Sequence, residues 1–460
     1  MSAKKPPFNP DQLYQRALTL HHAGKLIDAE SLYKTLLSYF PQQVEILTTL
    51  GIVLLQQGRS EAGIQQLKKS LNINPNQPAA LYNMAVELQK IARLEEALAC
   101  YNQTLKINPQ DINSLINRGN TLKDLKQYKN AMASFEGALA LQPNIASAHW
   151  NKALTHILLG EYVQGWSEYE WGWQCGERGQ ARNYSQPTWL GNGSIAGKTI
   201  LIHPEQGLGD LIQFSRYIPL LEKLGAQVII EAPASLLALM ASLSTTLKVV
   251  KEGDHLPPFD FVCPIMSLPH ALKTTVETIP ADVPYLRVSD NKKQYWKNKL
   301  GAKTKPRIGL VWSGSMTNKI DNNPCARRNI PLELLKPIFE LPLEFHVLQK
   351  DIRPEDTPVL MSLTHLHCHQ DELKDFADTA ALIQEMDLVI SVCTSVAHLA
   401  GALNHKTWLL LPYSADYRWM LNENNSPWYP SIELIRQAKI ASYSDQIVEV
   451  LKRLKSAVTD

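Results

Sequence analysis

Residues 75–85, Pro75-Asn-Gln-Pro-Ala-Ala-Leu-Tyr-Asn-Met-Ala85, are echoed 34 positions later by Pro109-Gln-Asp-Ile-Asn-Ser-Leu-Ile-Asn-Arg-Gly119. Prolines at 41, 75, 109 and 143 keep that interval. Two series of small residues keep it too: Ala17, Gly51, Ala85, Gly119, Ala153, and Ala29, Gly63, Ala97, Ala131, Gly165. Four residues after each member of the second series stands a large side chain: Tyr33, Leu67, Tyr101, Phe135 or Tyr169. Small residues let paired helices approach closely, the large one fills the remaining gap, and proline ends the second helix. Gly24, Gly58 and Gly160 mark the turn inside a pair. One such pair cannot bury its own apolar face, so successive pairs must stack into a superhelix. Turn signals recurring every half-repeat exclude a coiled coil.

This pattern resembles the tetratricopeptide repeat, whose period is about 34 residues, in five copies over residues 10–179. Asn83, Asn117 and Asn151 precede three of the small anchors by two residues, a position that faces the concave groove of such an array. An amide carries both a donor and an acceptor and can pair with the backbone of an extended peptide; the array of O-GlcNAc transferase has a similar asparagine ladder. The other reading is that asparagine is simply common there. Trp166, Tyr169 and Trp173 lie on one helix face and read as a hydrophobic cap against the next domain, or as a surface on which a ligand stacks.

Composition narrows the function. With 46 Lys+Arg against 44 Asp+Glu the net charge is +2, which argues against a polyanion as main partner. Apolar residues make up 45% and charged residues 20%, ordinary for folded protein. The start, MSAKKPPFNPDQ, is not a secretory leader, and no apolar run approaches membrane-spanning length. The six cysteines form no CxxC pair, so neither a disulfide frame nor a cysteine zinc site is expected, and the chain reads as cytoplasmic.

After Gly197 the period changes. Short β-rich runs at 199–203, 227–231, 248–250 and 259–263 alternate with helical stretches at 211–224 and 234–243. A second series follows the Lys-rich segment 291–305, with strands at 307–312, 344–349, 366–368, 388–392, 407–411 and 433–435. Helices near 332–340, 375–385, 395–403 and 443–457 separate them. Such alternation means parallel βαβ sheets, here two Rossmann-like halves, with ligands at the carboxyl ends of the strands. The expected divisions are a disordered 1–9, five repeats plus a capping helix at 10–182, and α/β domains at 183–300 and 301–460, with 176–197 a linker.

Three motifs carry chemistry. The first, His203-Pro-Glu-Gln-Gly-Leu-Gly-Asp-Leu-Ile-Gln-Phe-Ser-Arg-Tyr217, follows the first strand and opens a helix. Gln206, Gly207, Gly209 and Gln213 would shape this loop. Asp210 is either a base projecting into the cleft or a helix cap. The second runs Asp387 to Leu403. There Thr394 and Ser395 open a helix suited to a diphosphate and His398 is placed to donate, or the residues merely cap and pack. The third joins Trp312-Ser-Gly, after a strand, to Arg327-Arg328 before a helix, a phosphate clamp or a solvated turn. Lys350 ends the next strand. His365, His367, Cys368 and His369 form a His-rich patch, but one short strand rarely wraps a metal ion.

In order, GLGDxIQFxRY, GLVWSGS, RNIPL, LQKD, FADTAALI, DLVISV-x-TSVAHLAGAL and SPWYPS resemble the bacterial tetratricopeptide-repeat glycosyltransferase family. That family is related to the ADP-heptose heptosyltransferases of lipopolysaccharide synthesis. The resemblance covers most of residues 187–437. It implies a multidomain chain: an all-α repeat solenoid followed by a GT-B fold, with a nucleotide-sugar donor held mainly by the C-terminal half at Trp312, Arg328, Lys350, Thr394, Ser395 and His398. It implies Asp210 as base, Gln206, Gly207, Gly209 and Gln213 on an acceptor-side loop, and Arg328 in the place of a phosphate-neutralising lysine. The family carries aspartate before the threonine; this chain has Cys393. No Asp-x-Asp occurs, so a metal-independent, inverting hexosyl- or heptosyltransferase is expected. It would need no cofactor beyond its nucleotide-diphosphate sugar, and its protein or glycan acceptor would be held by the array. The alternative is a non-catalytic interaction module with a degenerate transferase fold.

Overall fold

The computed structural model describes residues 6–314, 324–421 and 424–459. It divides into two compact units, Met1–Asn151 and Lys152–Asp460.

The first unit is all helical: α1 (Pro10–His22), α2 (Leu26–Tyr39), α3 (Val44–Gln56), α4 (Ser60–Ile73), α5 (Pro78–Lys90), α6 (Leu94–Ile107), α7 (Ile112–Asp124) and α8 (Tyr128–Leu141), with the start of α9 (Ala146–Leu158). The 34-residue logic holds in the packing. Tyr33, Leu67, Tyr101 and Phe135 are fully buried, as are Ala17, Ala85 and Ala97. A Cβ on Gly119 would sit 2.4 Å from a ring carbon of Phe135, and one on Gly51 would sit 2.7 Å from Leu67, so only the smallest side chain fits. Turn glycines Gly24 and Gly58 have φ of 73° and 76°, and Ala92 and Lys126, at the equivalent positions, adopt 61° and 60° without being glycine. Residues 1–5 lie outside the described residues. The rest of the stretch read as disordered is ordered: Asn9 Oδ1 accepts from Asp11 N and Gln12 N, and Phe8 packs edge-on against Tyr39.

The division at Asn151 falls within the fifth repeat. The reason is α10 (Tyr162–Tyr169), whose aromatic face is buried inside the second unit. Trp166 packs against Phe214 and Tyr417 at ring distances of 5.7 and 6.1 Å, and Tyr162 stacks on Trp428. Trp166 and Tyr169 therefore serve as packing, not as a ligand platform.

The second unit holds two all-parallel sheets. β1 (Thr199–His203), β2 (Gln227–Ala232), β3 (Lys248–Lys251) and β4 (Phe261–Pro264) lie in the order β3-β2-β1-β4. The other sheet comprises β5 (Arg307–Val311), β6 (Glu344–Val347), β7 (Leu366–Cys368), β8 (Leu388–Val392), β9 (Thr407–Leu411) and β10 (Ile432–Arg436), in the order β10-β9-β8-β5-β6-β7. Both orders reverse beside their first strand, between β1 and β4 and between β5 and β8. Parallel sheets open a crevice at such points. Residues 152–460 cluster as one unit that holds both sheets.

The helices are α11 (Leu208–Phe214), α12 (Ile218–Lys223), α13 (Leu237–Met240), α14 (Leu268–Ala271), α15 (Asp290–Leu300), α16 (Thr357–Ser362), α17 (Phe376–Gln384), α18 (Ser395–Ala402) and α19 (Ser444–Thr459). Three differ from expectation. The stretch 211–224 breaks into α11, a 3-10 turn at Ser215–Tyr217, and α12, which carries Pro219 in its first turn. Leu332–Glu340 is a 3-10 helix with Pro337 inside it, where a missing N–H disfavours α geometry. The Lys-rich segment 291–305 is largely α15, pinned by the buried Trp296. Residues 176–197, read as a linker, are irregular yet anchored, with Trp189 and Ile195 buried.

Candidate functional site

The carboxyl ends of β1 and β8 lead into α11 and α18, and the starts of these two helices abut. A Cβ on Gly209 would stand 2.9 Å from His398 Cδ2 and 3.3 Å from Ser395 Cα, so glycine is what permits the contact. Asp210 is the third residue of α11. Its Oδ2 accepts the Gly207 N–H at 2.8 Å, and its Oδ1 pairs with Arg418. Both readings of Asp210 thus meet in one side chain: it caps the helix and it faces a charge.

Arg418 lies in the loop after β9 and also binds Asp416 Oδ1 at 2.8 Å. Burial works against its charge, but Asp416, Tyr417 and Asp210 outweigh it, and the guanidinium is held firmly protonated. Neither Arg418 nor Asp416 was singled out from the sequence. The only cue is an arginine among aromatics, Asp416-Tyr-Arg-Trp419, just past a parallel strand.

Arg328 reaches the same place. Its Nη1 donates to the Cys393 carbonyl at 2.8 Å, next to Thr394. Its Nε is buried with no hydrogen-bond partner among the described residues. Thr394 is the N-cap of α18 by backbone position but makes no side-chain cap bond; its hydroxyl lies 3.4 Å from Ser391 Oγ. The first-turn N–H groups of α18 therefore receive nothing from that hydroxyl. Arg328, Thr394, Ser395, Gly209 and Asp210 are brought together. The polar loop 315–323 lies outside the described residues.

Other expected ligands go elsewhere. Trp312 is core: its indole N–H donates to Asp356 Oδ2 at 2.9 Å and it is 1% exposed. Lys350 is exposed and its amine donates to the Leu373 carbonyl. His398 is enclosed, stacked on Trp419 at 5.4 Å with Nδ1 3.1 Å from Tyr429 Oη. Burial and the nearby arginines hold it neutral, so it packs instead of offering a charged donor. Gln213 is fully buried with both amide atoms unpartnered among the described residues, whereas Gln206 is exposed and lines a polar cavity. The Cys393 thiol accepts the Trp419 indole N–H at 3.1 Å; burial, then Asp416, push it up to about 11.

In the first unit Asn83, Asn117 and Asn151 are partly exposed. Asn83 and Asn151 donate to carbonyls of their own helices, Ala79 and Ser147, and Asn117 donates to Tyr82 Oη at 3.0 Å. A peptide would have to compete with these bonds. In the His-rich patch, His369 turns inward and lies 3.0 Å from His346 while His367 stays half exposed. No group of three or more metal-ligating side chains occurs among the described residues.

Three buried histidines make the second unit acid-sensitive. Burial lowers His203 to about 4, His346 to about 3 and His369 to about 4. The unfolded chain binds protons first, near the ordinary value of 6.5, so stability falls as pH drops from there through the folded values. His203 alone is expected to remove about 3 kcal/mol by pH 4. Urea midpoints measured by tryptophan fluorescence at pH 7 and pH 4.5 check this, because every tryptophan except Trp150 belongs to the second unit. Equal midpoints would contradict it.

Comparison with known proteins decides the first part of the chain. Tetratricopeptide repeat profiles match residues 14–78, 78–111 and 112–145. The N-terminal array is a tetratricopeptide repeat solenoid. Protein FlbA of Caulobacter vibrioides (strain ATCC 19089 / CIP 103742 / CB 15) is 27% identical over 316 residues, 63% of this chain and 51% of FlbA. The chain thus spans about half the length of that relative. A crystal structure of MamA is 18% identical and covers 35% of this chain and 94% of its own, with a TM-score of 0.34. One of YrrB, described as a TPR protein with an unusual peptide-binding site, is 16% identical over 36% of this chain and 86% of its own, at 0.34. No described helix is long and apolar enough to cross a membrane.

Proposed function

We propose that the second unit is a GT-B-type glycosyltransferase that moves a sugar from a nucleotide diphosphate to an acceptor hydroxyl, with a protein partner or acceptor engaged by the repeat array. One observation carries this reading: a carboxylate and two arginines meet between two helix starts, at the switch points of two parallel sheets. Helix N-termini and guanidinium groups attract diphosphate oxygens, and a leaving diphosphate needs such positive potential. Asp210 is the side chain suited to take the acceptor proton. Arg328 and the start of α18 would hold the departing diphosphate, without a metal ion.

A second reading is favoured by Cys393 and Arg418. A thiol replaces the acid of the resembling family, and both oxygens of Asp210 are engaged. On that reading the fold is a scaffold and the array's protein partner is the whole function.

Titration calorimetry with nucleoside diphosphates and the matching nucleosides separates the two. Arg328→Ala is expected to weaken diphosphate binding by about 10- to 150-fold, the worth of a charge-assisted hydrogen bond. Nucleoside binding should change little. Equal losses for both ligands would leave Arg328 as a loop support, and no binding of any diphosphate would favour the scaffold.

A further inference from the structure

A second polar feature opens at the carboxyl end of β1, a cavity of about 210 Å³ lined by His203, Arg178, Arg182, Glu205, Glu252, Trp173 and Gln206. The charges in its wall cancel locally. Arg178 binds Glu205 through Nε and Nη2 at 2.5 and 2.8 Å and pairs with Glu170 at 2.9 Å. Arg182 pairs with Glu231 and, at 2.9 Å, with Glu252. A net ionic ligand finds no uncompensated partner there.

His203 is different. It is 4% exposed, and its Nδ1 lies 3.0 Å from the Pro204 carbonyl. A carbonyl only accepts, so Nδ1 carries the proton and Nε2 carries the lone pair. Nε2 has no hydrogen-bond partner among the described residues, yet it is not sealed in the packing. The neutral form is the stable one, because burial and then the nearby arginines oppose protonation. His203 lines the cavity, so a ligand's O–H can take the place of water at this lone pair. Trp173, covered on one face by the Arg178 guanidinium at 4.3 Å, adds an aromatic wall.

We propose that this cavity is a subsite for a neutral, hydroxyl-rich carbohydrate group, one of whose hydroxyls donates to His203 Nε2. Naming that group the acceptor rests on the transferase reading; the subsite itself does not.

The test uses the full chain labelled with ¹⁵N-histidine, with His203 assigned from His203→Gln. The probes are the methyl glycosides of glucose, galactose, mannose and N-acetylglucosamine, and inorganic phosphate. At least one glycoside should move the His203 Nε2 resonance upfield, as hydrogen-bond acceptance does, and phosphate should not. His203→Phe should bind that glycoside about two- to tenfold more weakly, the worth of one neutral hydrogen bond, while His203→Gln, which keeps an acceptor oxygen, should lose less. An Nε2 resonance unmoved by the whole panel, or moved by phosphate alone, overturns the proposal. Titration of the same samples with UDP and ADP reports the transferase reading separately. Diphosphate binding with an unmoved Nε2 sinks the subsite only, whereas a moved Nε2 without diphosphate binding leaves the subsite and removes the name acceptor.

Discussion

Asp210→Asn is expected to leave nucleoside diphosphate affinity near the wild-type value and to cut sugar transfer by about 10²–10⁴-fold, the usual loss when a general base is removed. The amide oxygen still accepts the Gly207 N–H, so the start of α11 keeps its cap. Arg418 keeps Asp416 as partner, so the loop after β9 keeps its anchor. What disappears is the carboxylate that would take the acceptor's proton. Binding by calorimetry and turnover by release of nucleoside diphosphate give the two numbers. Near-normal turnover would leave Asp210 as a cap and a counter-ion to Arg418. A wild-type protein that binds diphosphate but transfers nothing, whichever donor and acceptor are offered, would point to the scaffold reading.

The other large effect is on stability. Arg178→Ala is expected to destabilise the second unit by about 3–5 kcal/mol, because it strands a buried carboxylate. Arg178 is 1% exposed and the side chain of Glu205 is equally enclosed. Among the described residues Glu205 would keep only the Met266 N–H at 2.9 Å. Arg178 also donates to Ser267 and lies over the Tyr169 ring, so its removal loosens the seat of α10 as well. The double replacement Arg178→Met with Glu205→Leu should recover most of the loss, since the desolvation of both charges goes with them. Urea unfolding followed by tryptophan fluorescence reads this unit. A single mutant within about 1 kcal/mol of wild type would mean the pair is better solvated than its burial implies.

Much of this was legible beforehand, for a physical reason. A 34-residue repeat states the same packing problem five times, so Gly119 against Phe135 and Gly51 against Leu67 could be read from spacing alone. All ten strands were legible too, because parallel strands buried on both faces write continuous apolar runs, such as Leu388–Val392 and Thr407–Leu411. What failed was local geometry overruled by a single residue. Pro337 turns an expected α-helix into a 3-10 helix, and Trp296 pins a helix inside the Lys-rich segment between the two strand series.

The site was half legible. Motif glycines and helix-opening hydroxyls announce themselves because they solve backbone problems near a strand end, and Gly209, Thr394 and Arg328 do converge. Trp312 and His398 stand in the same motifs, yet their side chains turn into the core, and spacing does not encode that choice. Arg418 was invisible because its meaning comes from Asp210, 208 positions earlier in the chain. No local pattern records a pairing over that distance.

Cys393 gives the second unit a practical advantage. With its thiol pushed up to about 11 and bonded to the Trp419 indole N–H, Cys393 presents little thiolate at neutral pH, and the thiolate is the reactive form. Cys100, Cys263 and Cys325 are buried, Cys175 is half covered, and Cys368 at the end of the edge strand β7 is the exposed one. A maleimide dye applied at mildly alkaline pH will therefore load the sheet's outer rim first. That places an optical reporter on the native chain, with no engineered cysteine, at the opposite margin of the sheet from β10.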